Sequence, residues 1–113
     1  MQPNLDAVTV IHNEKEHRFE ARVDGHLALI TYRRFPGKIY LDHTEVPEPL
    51  EGHGLAAKLT RAALEFARAR HLRVSPLCPY ASAFMRKHKE FQDLLTAEDW
   101  KRVFSSAANA SNE

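Results

Sequence analysis

The N-terminal half of the chain alternates apolar and polar residues with the period of β-strands. In "HRFEARV", three apolar residues alternate with charged ones, which is typical of a strand with one buried face. Asp24-Gly25 then predicts a tight turn, so the apolar segment "HLALITYRRF" is expected to pair back as a hairpin. With the short segment "AVTVIHN" before them and "KIYLDHTEV" after Pro36-Gly37, these segments predict three or four antiparallel strands.

After Gly54 the hydrophobic period becomes helical. Apolar residues from Leu55 to Phe66 recur on one face opposite charged residues, which predicts a helix of about 16 residues. "HLRVSPLC" then reads as a short buried strand, and "YASAFMRKH" as a second, shorter helix. A strand on each side of the long helix predicts a βαβ unit with parallel strands. The predicted fold is therefore α/β, with a mixed, mainly antiparallel sheet.

The two ends of the chain are predicted to lie outside a single domain at residues 7–104. We expect residues 1–6 to be flexible, and residues 105–113, "SSAANASNE", to form a disordered tail because they are small and polar. Trp100 and Phe104 are expected to close the core from the C-terminal segment.

Composition narrows the functional classes. Sixteen Lys and Arg residues balance fifteen Asp and Glu, and this net charge of +1 argues against strong nonspecific binding to nucleic acid or a membrane. Cys78 is the one cysteine, which excludes an internal disulfide and a metal site built on a cysteine pair. The histidines show no metal-ligand spacing. Without a signal-like segment, a cytoplasmic location is expected, with the nucleus or an organelle as alternatives.

The stretch "HTEVPEPLEGHGLAAKL" breaks the chain sharply between strand and helix. Pro47 and Pro49 lack amide donors and end strand pairing, whereas Gly52 and Gly54 permit backbone shapes that a Cβ would hinder. The helix that follows offers unpaired amides and a partial positive charge, so the loop predicts a phosphate site. A plain turn is the alternative. No Gly-Lys-Ser/Thr sequence indicates a nucleotide-hydrolysing loop, and the three-glycine dinucleotide pattern is absent.

The segment "LEGHGLAAKLTRAALEFAR" resembles the acetyl-CoA pyrophosphate loop and following helix of the GNAT superfamily of N-acetyltransferases. In the usual pattern, Gln or Arg is followed by two residues, Gly, any residue, and Gly or Ala. Here Gly54 and Ala56 match, whereas Glu51 replaces the first position with an acid. With "HTEVP" and "PLCPYASAFMRKHKEFQDLL", the chain is similar from Val8 to Leu95 to a small, single-domain GNAT-like family, including YjdJ-type proteins.

This resemblance implies an acetyl-CoA co-substrate and an amine acceptor, which is a small molecule or a protein and stays unidentified. The chain is shorter than typical members, so part of the usual acceptor-binding wall is expected to be missing. The amides of residues 53–58 are expected to hold the pyrophosphate, and Arg86, in a basic cluster, to meet the adenosine-side phosphate unless it is simply solvated. The implied cofactor-binding residues are Val46, Gly52, His53, Gly54, Leu55, Ala56, Ala57, Lys58, Cys78, Tyr80 and Arg86.

Four residues are candidates for the chemistry. Cys78 is interpreted as a transient S-acetyl nucleophile, a proton donor to the departing thiolate, or a small buried side chain. Tyr80 is the alternative proton donor, or else an amphipathic core residue. Strand alternation places His43 and Glu45 on the inward face with Ile39 and Leu41, where either could accept a proton from an amine. For these two, the alternative is a strand-end pair at the sheet edge.

The sequence thus leaves three functional hypotheses. The first is acetyl transfer from acetyl-CoA to an amine, and the second is a non-catalytic module that binds or senses acyl-CoA. The third is an interaction domain that has lost the cofactor, which the glycine loop disfavours.

Overall fold

The protein is described by a computed structural model that covers the backbone of residues 8–111 and the side chains of residues 8–105. Its elements are β1 (Ile11–Asn13), β2 (Arg18–Val23), β3 (His26–Phe35), β4 (Lys38–Glu45), α1 (Leu55–Ala69), β5 (Arg73–Pro76), α2 (Pro79–Lys87) and α3 (Ala97–Ser111). Two short 3₁₀ helices, Glu48–Leu50 and Lys89–Leu94, precede α1 and α3.

The five strands form one sheet in the order of the chain. β1 to β4 are antiparallel, and β5 pairs with β4 in parallel after the crossover through α1. This confirms the predicted α/β fold with a mixed, mainly antiparallel sheet. α1 packs across β2 to β5 on one face of the sheet. The centre of the core is solvent-free, and its members with 0% exposure include Ile30, Ile39, Leu41, Leu59 and Leu64.

A β-bulge in β4 reverses the alternation that the sequence predicts. Leu41 lies opposite Tyr32 while His43 lies opposite Thr31, so Asp42 is an extra residue with no residue opposite it in β3. Beyond the bulge, Thr44 pairs with the buried Ile30 and takes the inward position. The prediction that His43 and Glu45 face inward is therefore wrong, because one additional residue shifts every later side chain to the opposite face.

The parallel strands β4 and β5 separate at their carboxyl ends. Their last paired residues are Leu41 and Pro76, and β4 continues to Glu45 without β5 beside it. The amides of Leu77 and Cys78 both donate to the Leu41 carbonyl, at 3.0 and 2.9 Å, and fix the point of separation. A gap between the two strands therefore opens next to Cys78.

The C-terminal helix α3 is an element that the sequence analysis did not predict. Ser105–Ser111, expected to be disordered, form its last turns, because three alanines favour a helix despite the low hydrophobicity. Trp100 is 43% exposed and does not close the core, whereas Val103 does so with 1% exposure. Residues 1–6 and 112–113, for which flexibility was predicted, lie outside the described residues.

Candidate functional site

The glycine loop at the start of α1 presents a row of unpaired amides. Gly52 and Gly54 have φ values of 82° and 78°, in the left-handed region that glycine favours. Gly54 is the N-cap, with no side-chain cap, and its carbonyl accepts the first helical hydrogen bond from Lys58 at 3.1 Å. No described residue accepts a hydrogen bond from the amides of residues 52–57. Six consecutive donors at a helix start form a binding surface for an anion.

A cavity of about 270 Å³ lies against this loop. It is lined by Val46, Leu50, Glu51, Gly52, Gly54, Leu55, Ala56 and Tyr80. A second cavity of about 200 Å³ between α1 and α2 also contacts Tyr80, together with Ala57 and Lys87. The two cavities together make a mostly apolar path along the loop, α1 and α2. Most of the predicted cofactor-binding residues line this path, while His53 is half-buried in the loop itself.

Cys78 is the N-cap of α2, where it is 4% exposed. Its sulfur lies 3.1 Å from the hydroxyl oxygen of Thr44, across the gap between β4 and β5. Thr44 is a site residue that the sequence analysis missed, because only the bulge turns it inward. The thiol thus lies at the mouth of the gap, held by a hydrogen bond rather than exposed to solvent.

Tyr80, in the first turn of α2, faces the loop from across the path. It is 39% exposed and lines both cavities. Burial raises the pKa of the Tyr80 hydroxyl above its ordinary value. The hydroxyl therefore stays protonated at neutral pH and is able to donate a proton.

His43 and Glu45 lie together on the outer face of the sheet. Their side chains are each 63% exposed, and His43 Nε2 is 3.7 Å from Glu45 Oε2. This is the strand-end pair at the sheet edge that the sequence analysis held as the alternative. The sheet itself stands between these side chains and α1, so they can meet only an acceptor that approaches from the outer face.

The basic residues of α2 divide between its two faces. Arg86 is directed towards α3, where its Nη1 donates to the Ser82 hydroxyl at 3.2 Å and to the Val103 carbonyl at 3.3 Å. It does not line the path beside the loop, because successive residues on a helix point in different directions. Lys87 lines that path instead.

Another cavity, about 350 Å³, lies between the end of α1 and the start of β5. Its arginines are already paired: Arg68 binds the Asp93 carboxylate through two hydrogen bonds of 2.8 and 2.9 Å, and Arg73 binds the Asp93 carbonyl. With its charges internally satisfied, this cavity is a weaker candidate than the smaller one at the loop.

Residues 8–111 contain neither a membrane-spanning helix nor a metal-binding cluster. No helix there is long and apolar enough to cross a membrane. No group of three or more His, Cys, Asp or Glu side chains in the described residues is arranged to hold a metal ion.

Comparison with known proteins agrees with the resemblance of the glycine loop. A sequence profile of the family described as GCN5-related N-acetyl-transferase matches residues 18–94. "Protein NATD1" of Bos taurus is 32% identical over 84 residues, which span 72% of this chain and 74% of the relative. The protein of the same name in Danio rerio is 32% identical over 88 residues, or 75% and 80% of the two chains.

The fold agrees with a solved structure as well. The NMR solution structure of a GCN5-like protein from Staphylococcus aureus matches with a TM-score of 0.64 at 32% identity, covering 78% of this chain and 87% of that one. The sheet, the glycine loop and the match over two thirds of the sequence thus lead to one conclusion: this chain belongs to the GCN5-related N-acetyltransferase family.

Proposed function

We propose that the protein binds acetyl-CoA at the glycine loop and transfers the acetyl group to an amine. The observation that carries this proposal is the run of six amides, at residues 52–57, without an acceptor in the described chain. A helix start with unpaired amides favours a phosphate. A pyrophosphate on the loop would satisfy several of these amides at once.

The rest of acetyl-CoA is proposed to follow the path between α1 and α2. The pyrophosphate would lie on the loop and the pantetheine arm would enter the gap between β4 and β5, beside Val46. The adenosine end would pass Ala57 and Lys87, whose ammonium group suits a phosphate. The thioester would then come to lie near Tyr80 and Cys78.

Acetyl-CoA supplies the acetyl group as an activated thioester. Tyr80 is the residue proposed to protonate the departing thiolate, since its raised pKa keeps it protonated. Backbone amides at the gap are proposed to polarise the carbonyl. A deprotonated amine attacks the carbonyl carbon, the carbon–sulfur bond breaks, and the amine loses its second proton to Glu45, His43 or water on the outer face.

Cys78 retains a second possible role as a nucleophile that carries the acetyl group before the amine does. The thiol would have to leave its contact with Thr44, lose its proton to water and attack the thioester carbonyl. The original carbon–sulfur bond then breaks, and the departing CoA thiolate takes a proton from Tyr80. Incubation with acetyl-CoA alone separates the two roles, because only the nucleophile acquires an acetyl mass, about 42 Da, at Cys78. Cys78→Ser would remove that mass.

The competing function is a non-catalytic module that binds or senses acyl-CoA. The outward positions of His43 and Glu45 favour it, because exposed groups in solvent are poorly oriented to accept a proton from a bound amine. The distinction requires acetyl-CoA titration by calorimetry together with a screen of amine acceptors for release of CoA. Binding with turnover supports the transferase, binding without turnover on any amine supports the module, and absence of binding contradicts both.

A further inference from the structure

We propose that a cavity on the opposite face of α2 from the acetyl-CoA path binds a carboxylate of the amine acceptor, through Arg86. The inference rests on the proposed function in one respect, namely that the amine of this acceptor is acetylated. It adds the chemical class of the acceptor, an amine that also carries a single carboxylate.

This cavity, about 290 Å³, lies where the β5–α2 loop meets α3. It is lined by Pro76, Leu77, Pro79, Ser82, Arg86 and Arg102. Pro76 is the last residue of β5 and Pro79 the first of α2, so they flank the loop that carries Cys78. The cavity therefore adjoins the reactive region while lying outside the cavities beside Tyr80. An acceptor here and acetyl-CoA in its path would approach from different sides, as transfer within a ternary complex requires.

Arg86 is a cation for which the described side chains supply no anionic partner. Its side chain is half-buried, and no carboxylate in the described residues lies within ion-pair distance of it. Its two hydrogen bonds, at 3.2 and 3.3 Å, both use Nη1 and go to uncharged oxygens. A guanidinium has five N–H donors in a planar fork, so the remaining donors are available for a ligand.

The neighbouring Arg102 differs in this respect. Its Nη2 lies 2.6 Å from the Asp99 carboxylate and also donates to the Ser75 hydroxyl. Asp99 also lies 3.1 Å from Lys38, so Arg102 is already paired, whereas Arg86 is the lining arginine that has no carboxylate beside it in the described residues. The planar fork of Arg86 matches the two oxygens of a carboxylate.

The distance between the Arg86 guanidinium and Cys78 follows from helix geometry. Cys78, Ser82 and Arg86 are spaced four residues apart along one face of α2, with the Ser82 amide bound to the Cys78 carbonyl at 3.0 Å. Since Arg86 reaches back to the Ser82 side chain, its guanidinium lies about one turn, or roughly 6 Å, along the helix from Cys78. A flexible chain of a few carbons between amine and carboxylate spans that distance.

The test compares two amines of equal length, 6-aminohexanoate and hexylamine, which differ in the carboxylate. Each is titrated into the ¹⁵N-labelled full chain saturated with CoA, a state in which no acetyl transfer occurs. We expect 6-aminohexanoate to shift the amides of Leu77, Ser82 and Arg86, and hexylamine to leave them unchanged. Arg86→Gln is expected to weaken 6-aminohexanoate binding about tenfold, since a charge-assisted bidentate contact is lost.

Arg22→Gln is the matched control, because it removes the same charge from an exposed position on β2 and should leave binding unchanged. Arg86→Lys, which keeps the charge without the fork, should bind with intermediate affinity if the fork matters. Folding of each variant is checked by its amide spectrum. Equal affinity for the two amines, no binding of either, or no loss in folded Arg86→Gln would overturn the inference.

The rates of acetyl transfer to the two amines distinguish a failure of this inference from a failure of the proposed function. If both amines are acetylated equally and Arg86→Gln changes neither rate, the carboxylate site is wrong while the transferase stands. If 6-aminohexanoate binds through Arg86 but no amine is acetylated, the carboxylate site stands and the transferase does not.

Discussion

Two polar regions of this molecule, the Asp99 cluster and the glycine loop, differ in whether their polar groups have hydrogen-bond partners within the described chain. Asp99, 4% exposed on α3, accepts hydrogen bonds from Ser75, Arg102 and Thr96 and lies 3.1 Å from the Lys38 ammonium. The amides of residues 52–57 have no acceptor in the described chain. The difference indicates that the Asp99 cluster stabilises the fold, and it supports the proposal that a ligand pairs with the loop amides.

The electrostatics of the Asp99 cluster support its structural role. Burial alone would raise the pKa of the Asp99 carboxyl, but hydrogen bonds from Arg102, Ser75 and Lys38 together outweigh it and hold the pKa below its ordinary value. The hydrogen bond to Asp99 is likewise the main cause that raises the pKa of Lys38. Both groups are therefore charged at neutral pH, and the pair joins α3 to the sheet at β4.

The largest effect is expected from a substitution that disrupts the glycine loop and leaves the Asp99 cluster intact. Gly54→Val should lower acetyl-CoA affinity about a hundredfold, since the added side chain occupies space meant for the pyrophosphate and removes contacts worth about 3 kcal/mol. Gly25→Val is a matched control, because Gly25 shares the φ of 78° and neither Cβ would meet a protein atom within 4 Å. Calorimetry on both variants provides the measurement.

Both valine variants carry the same backbone strain, about 1–2 kcal/mol, so both should lose a similar amount of stability. Only Gly54→Val should lose affinity. Equal affinities in the two folded variants would remove the pyrophosphate from this loop.

The complementary change breaks the Asp99 cluster and spares the loop. Asp99→Asn should lower the free energy of unfolding by about 2–3 kcal/mol, because it leaves Lys38 and Arg102 without their shared anion. Glu98→Gln, an exposed neighbour in the same turn, should change stability by less than about 0.5 kcal/mol. Urea unfolding measures both, and acetyl-CoA affinity should be the same in the two variants. A large loss of affinity in Asp99→Asn would mean that the two regions are coupled.

The pH dependence of stability sharpens the same contrast. The folded pKa of Asp99 lies below its unfolded value, so its stabilisation is complete above the unfolded pKa and is lost as the pH falls through the folded pKa. The free energy of unfolding should therefore fall between about pH 5 and pH 2, and less steeply in Asp99→Asn. Urea midpoints measured at several pH values give the slopes. Identical slopes in the unsubstituted protein and Asp99→Asn would contradict the conclusion that Asp99 stabilises the fold as a carboxylate.

The smallest predicted effect concerns the acid at the loop. Glu51 lines the loop cavity where the usual family pattern has Gln or Arg, and an anion near a pyrophosphate weakens its binding. Glu51→Gln should raise acetyl-CoA affinity about threefold at low salt, with the gain shrinking as salt is added. Glu48→Gln, exposed and outside the cavity lining, is the control. Unchanged affinity in Glu51→Gln would place the carboxylate away from the phosphates.

Most of the fold could be predicted from the sequence, because its signals are local. The strands that follow a strict alternation and the turn at Asp24-Gly25 lie where they were predicted. The side-chain directions at the end of β4 could not be predicted, since the bulge at Asp42 depends on pairing with β3. α3 was missed because few of its residues are apolar and at least partly buried, Val103 and Phe104 among them, while Asp99 adds long-range contacts to the sheet that the sequence does not record.

The candidate site divides in the same way. The unusual backbone of the loop could be predicted from its glycines, and Gly52 and Gly54 do have positive φ values. Their part in binding acetyl-CoA stays a prediction. Thr44, which contacts Cys78, and the direction of Arg86 towards α3 depend on tertiary packing that no sequence pattern records.

The central claim is that the unpaired amides of the glycine loop hold the pyrophosphate of acetyl-CoA. The most direct test is titration of the ¹⁵N-labelled protein with acetyl-CoA, observed amide by amide. The account predicts that the largest chemical-shift changes fall on residues 52–57, with smaller changes at Tyr80 and Lys87. Unchanged loop amides, with the largest changes instead at the cavity of Arg68, Arg73 and Asp93, would contradict it.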